Sequence, residues 1–355
     1  MANRTVGLIF LACATSFWTS ACSAQTASSR PKAAHSPITL PIALSWLPAD
    51  TETLIVANGP FAMSRSEVPV DETRSRLISK KALREQFESL PSGLVGLEKG
   101  LFEKYLNGEQ VEIAMEGSRH FRSPSGLGGM PYEGCDIVVF AGDIASLGDA
   151  FMKDSKNVAV KFEEVEGQRV AVFQGKLEED VWTTLVVFPR ANVLIIATNR
   201  DYLREVLARM GGATGPRALP NELPEWKYVD THAHCWGLRH YDKSQANLDP
   251  SSPFGGEKSA NFADEEAIGL VFNFAPTADG EATITYLSGA KDAISMVREH
   301  LFPPLSDPDS VKDMQIQFRE LAPGVVQSSC RLVHSEPAMF FFFVLLGVLG
   351  HAIYL

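Results

Sequence analysis

The chain has 355 residues, a formal net charge of −11, 45% hydrophobic residues and 21% charged residues. That length suits two cores better than one. An acidic chain without a Lys/Arg cluster argues against nucleic acid as a partner.

The N-terminus reads as an export signal. Arg4 supplies the positive region, Thr5 to Trp18 the apolar run, and "TSACSAQ" the small residues before a cleavage point after Ala24. Residues 1–24 are therefore expected to be removed, and the mature chain is expected in the periplasm or cell envelope. Cys22 sits in "TSAC", a degenerate lipobox with Thr19 where an aliphatic residue belongs, and is a candidate for lipidation. Residues 25–38 form a Ser/Ala/Lys/Pro-rich spacer.

Residues 39–210 read as a first α+β half. "TLIVANG" (53–59) predicts a buried strand ending in a turn. Residues 72–106 carry a helical pattern in which Leu83, Phe87 and Leu90 share a face, broken at Pro91 and Gly93. "CDIVVF" (135–140) precedes a helix at 144–154. Residues 157–173 predict a hairpin turning at Glu166-Gly167, and 181–198 a second turning at Pro189 to Asn192, with a helix at 200–210. The Gly/Pro-rich stretch 211–224 reads as a linker to a second half, 225–334.

The second half faintly repeats the first. "EGSRHF" (116–121) matches "WGLRHY" (236–241) as Gly-x-Arg-His-aromatic, each followed by a Gly/Pro-rich loop. "VVFAGD" (138–143) matches "ITYLSG" (284–289), and "FEEVEGQRV" (162–170) matches "FRELAPGVV" (318–326). The conserved order points to an internal duplication. Hairpins alternating with single helices predict an α+β fold, with antiparallel sheets and helices packed on one face.

Residues 335–355 are expected to form a hydrophobic C-terminal helix. Ser335 suits its N-cap and Pro337 its first turn. The apolar run Met339–Leu355 can be buried against a sheet or enter a membrane, and length alone does not decide. Cys135, Cys235 and Cys330 remain after the signal. Being odd in number, they cannot all pair within the chain, and their apolar settings favour buried thiols.

"YVDTHAHCWGLRHY" (228–241) is the densest chemical stretch. As a strand it would place Asp230, His232, His234 and His240 on one face. His232 and His234 would lie about 7 Å apart, a spacing that can chelate zinc, with Asp230 as a carboxylate ligand or supporting partner. His240 would be about 20 Å further along. "VDTHAH" resembles the first-strand motif of the amidohydrolase superfamily. That resemblance implies a (β/α)₈ barrel, one or two metals, hydrolysis, and His232 and His234 as metal ligands. The likeness covers six residues, and the chain after Val229 is too short for a barrel of about 250 residues. No third ligand or general base is assigned.

The strand matched to this one in the first half, "VEIAMEGSRHF", has no such histidines. The shared set is Arg119, His120, Arg239 and His240, which predicts either anion binding or anchoring of the loops that follow. There is no dinucleotide fingerprint, nucleophile elbow or P-loop. The sequence thus predicts an exported, non-catalytic binding or structural component without a cofactor. The alternatives are a zinc-dependent hydrolase built on Asp230, His232 and His234, and a scaffold or sensor attached to the membrane through 339–355.

Overall fold

The computed structural model describes residues 38–62, 104–106, 108–120, 132–157, 159, 161–177, 180–233, 235–240, 267–275, 281–289, 293 and 314–332. The signal 1–24 with Cys22, nearly all of the spacer, most of the 72–106 helical pattern and the tail 335–355 lie outside these residues. No helix among the described residues is long and apolar enough to cross a membrane.

The described chain forms two compact units, divided between Pro220 and Asn221. The first holds β1 (Thr53–Ala62), β2 (Gln110–His120), β3 (Tyr132–Phe140), β4 (Lys161–Val165), β5 (Gln168–Leu177), β6 (Asp180–Arg190) and β7 (Val193–Ala197). Its helices are α1 (Leu40–Leu44), α2 (Ala145–Asp154) and α3 (Arg200–Met210). The strand order is β1-β2-β3-β7-β6-β5-β4, antiparallel throughout. The second unit holds β8 (Cys235–His240), β9 (Ala267–Ala275), β10 (Glu281–Ser288), β11 (Met314–Ala322) and β12 (Val325–Leu332), ordered β8-β9-β10-β12-β11.

The expectation of an α+β fold with helices packed on one face is overturned. The protein is mostly antiparallel β, with few and short helices. The cause is local. Tight turns at Glu166-Gly167, Ala191-Asn192 and Pro323-Gly324 return the chain directly into the next strand. Within the first unit, α2 and α3 also lie on opposite faces. Gly117, Cys135, Ala197, Leu185 and Val172 share one face by register, and Tyr202 of α3 lies over Gly117 there. Phe173, one residue on from Val172, faces the other way and stacks edge-to-face on Phe151 of α2, which also meets Phe188.

Two local expectations are corrected as well. β1 does not end at Gly59. It resumes pairing at Phe61 after a register shift past Asn58. Among the described residues the Gly-x-Arg-His matches stand at different places in strand order: Arg119 lies in β2, the second strand of the first unit, and Arg239 in β8, the first of the second.

The core of the first unit is Leu54, Val56, Met115, Ile137, Val139, Leu185, Ile195, Tyr202 and Val206, all fully or almost fully buried. Asn199 caps α3 by accepting from the Asp201 and Tyr202 amides at 2.8 and 3.0 Å. At the other end of α3, Arg190 donates to the Met210 carbonyl at 2.9 Å and lies over the Trp46 ring. These contacts fix α3 against β2, β3 and β7, where the most charged cluster of the unit lies.

Candidate functional site

Arg119 forms the hub of that cluster. Its Nε donates to Glu133 at 2.7 Å, and its Nη1 donates to Asp50 at 2.8 Å and Glu205 at 3.0 Å. The guanidinium lies 5.3 Å from the Tyr202 ring centroid. Tyr202 in turn shares a 2.8 Å hydrogen bond with Thr51, and Glu133 accepts from Asn199 at 3.3 Å. Burial disfavours the Arg119 charge, but the hydrogen bonds to Asp50 and Glu133 and the charges of Asp50 and Glu205 outweigh it and raise its pKa. Three carboxylates around one guanidinium make a site that repels an added anion. Arg119 is thus a clamp joining the chain before β1, β3 and α3. His120 ends β2, and its side chain lies outside the described residues.

The second unit carries the other marked residues. The chain enters through a 3-10 turn, Pro224–Tyr228, and only becomes a strand at Cys235. Over Asp230 to Ala233 the expected strand is therefore a turn. Its cause is the Asp230 side chain, which accepts the His232 amide at 2.9 Å and closes an Asx turn. Asn273 holds this turn in place: its Oδ1 accepts the Asp230 amide at 2.6 Å and its Nδ2 donates to the Tyr228 carbonyl at 2.8 Å. The His232 side chain is 96% exposed, with Nδ1 3.7 Å from Asp230 Oδ1. His234 lies outside the described residues. Among the described residues no group of three or more His, Cys, Asp or Glu is placed to hold a metal.

His240 has a partner that the sequence did not mark. Its Nδ1 lies 2.8 Å from Oε1 of Glu225, whose side chain is fully buried. Glu225 occupies the space left by the missing side chain of Gly269, the residue paired with His240 across β8 and β9. Its Oε2 is buried without a hydrogen bond. The neighbouring Trp226 packs edge-to-face on Trp236 at 6.0 Å. Arg239 is buried at the adjacent position of β8. A buried carboxylate holding Nδ1 of a half-buried imidazole fixes the ring and the turn together. No periodicity in "NELPEWKY" distinguishes Glu225 from a solvated acid.

A third polar group interrupts the first unit's ladders. Glu116 of β2 stands directly opposite Asp136 of β3. Burial raises the Glu116 carboxyl to about 7. Burial, and then the charge of Glu116, raise Asp136 well above the ordinary carboxylate range. On the reverse face, burial and then these two acids push up the thiol of Cys135, a buried free cysteine. The signal for this pair was present as acids within the apolar strands "VEIAMEG" and "CDIVVF".

Comparison of the chain with protein-family models, with curated proteins and with solved structures finds no match.

Proposed function

We propose that the chain is an exported component of the cell envelope that acts by binding or as a structural element rather than by catalysis. One observation carries this reading: Nε and Nη1 of Arg119 are engaged by Glu133, Asp50 and Glu205. A motif that suggested anion binding is thereby spent on joining three segments of the fold. The Glu225–His240 pair and the Asp230 turn support the same reading, since each fixes backbone rather than presenting a set of convergent reactive groups. The export half rests on Arg4, the apolar run to Trp18 and the small residues up to Ala24.

Fractionation of expressing cells, with N-terminal sequencing of the recovered protein, tests export. The expected result is a chain beginning at Gln25 in the envelope or periplasmic fraction. A chain retaining Met1 to Ala24 in the cytosol overturns it. A mature chain blocked at Cys22 and carrying a lipid would assign it to the membrane surface.

A further inference from the structure

β2 and β3 are adjacent inner strands of the first unit, and their pairing sets Glu116 against Asp136. The register continues the row on both sides, with Ile55 of β1 opposite Glu116 and Ile196 of β7 opposite Asp136. Directly opposed side chains on an antiparallel pair have Cβ atoms about 4.5–5.5 Å apart, and like charges so placed repel. Both acids are half-buried. The remaining positions on this face near the pair are Thr53 and Ala57 of β1, Ala114 and Ser118 of β2, Gly134 and Val138 of β3, and Leu194 of β7, none of them charged. Glu112 is the other acid of β2 on this side, set off by the register shift between Val111 and Ile113. The helix on this face, α2, carries Asp149 and Lys153, both exposed, and Asp154, which is bonded to Lys104 and Tyr105. Arg119 and Glu133 alternate onto the opposite face. Among the described residues, then, no cation faces the pair.

We propose that Glu116 and Asp136, set opposite one another by the β2–β3 register, share one proton and act as a proton-operated element in the first unit's sheet. With the proton in place, one carboxyl donates to the other and the ladder is held. When it leaves, two opposed carboxylates stand in an apolar row and strain the β2–β3 pairing. The raised carboxyl pKa values accord with this arrangement. The proposal does not rest on export. For an exported chain, it would tie the firmness of this sheet to the acidity of the compartment.

Carboxyl-carbon NMR titration of the full mature chain, with Glu and Asp labelled, tests it. Glu116 is expected to titrate at about 7. In Glu116→Gln, the Asp136 midpoint is expected to fall by at least about one pH unit, because the neighbouring charge is gone. Glu112→Gln should leave both midpoints in place. If Glu116→Gln does not fold, Asp136→Asn with Glu116 as the reporter reads the same reciprocal coupling. Two independent titrations near the ordinary value of about 4 would overturn the proposal. So would midpoints that respond to added calcium or magnesium, since a cation rather than a proton would then bridge the acids.

Discussion

Glu225 fits the second unit only because residue 269 is glycine. A Cβ at Gly269 would collide with the Glu225 carboxylate, and the same carboxylate holds Nδ1 of His240, the residue paired with Gly269. Gly269→Ala should therefore cost about 1–3 kcal/mol, the range for overpacking a filled site. In a Glu225→Ala background the same change should cost little, because the two effects share one space. Urea unfolding of the four variants measures the coupling.

Removing the imidazole should cost more than removing both partners. His240→Leu leaves Glu225 fully buried with neither oxygen on its present partner. Leaving a buried hydrogen-bonding group without its partner typically costs about 1–3 kcal/mol. The double variant Glu225→Leu/His240→Leu should recover part of that loss, as an apolar pair needs no hydrogen-bond partner. Equal stability of the single and double variants would mean that the pair is not what holds the Pro224–Tyr228 turn.

Arg119 should behave as a structural clamp with one dominant arm. Glu133 is 19% exposed, whereas Asp50 is 61% exposed and Glu205 45%. Arg119→Met should cost about 1–3 kcal/mol, largely through the stranded Glu133. Asp50→Asn should stay within about 1 kcal/mol, as exposed pairs do. Arg119→Lys should not restore the clamp, since a single ammonium cannot span three carboxylates as a planar fork does. Thermal unfolding of the three variants checks the order.

Stability of the first unit should fall as pH rises toward neutrality. Folded Glu116 titrates at about 7 against an ordinary value of 4.5. Below about 4.5 both folded and unfolded chains carry the proton. Between about 4.5 and about 7 the unfolded chain releases it while the folded chain keeps it, so rising pH favours unfolding. The Glu116 share of that loss should be about 1–3 kcal/mol and should disappear in Glu116→Gln, leaving the share of Asp136, which burial still raises. Denaturant midpoints at about pH 5 and about pH 8 give the comparison.

The hairpins and the two longer described helices were legible because their signals are local. Glu166-Gly167 offers the positive-φ pair that a two-residue turn needs, and both residues take φ values of 50 and 71. Asn199 before an amphipathic run marks the start of α3. The side of the sheet on which a helix packs is not local: it depends on register, and one residue separates Val172 on the α3 side from Phe173 on the α2 side. The 228–241 stretch misled because period-2 alternation describes an Asx turn leading into a strand as well as it describes a strand. Asn273, which holds that turn, lies over forty residues downstream. Glu225 was hidden for a similar reason, since only the fold brings it to Gly269 and His240.

If the conspicuous polar residues of this chain hold its fold rather than carry out chemistry, Asp230, His232 and His234 should hold no metal ion. The direct measurement is the metal content of the chain, purified without chelator or affinity metal, beside a His232→Ala/His234→Ala variant. Well under one metal ion per chain is expected in both, with unchanged folding. About one zinc per chain, lost in the variant, would contradict it and make the turn before β8 a metal centre.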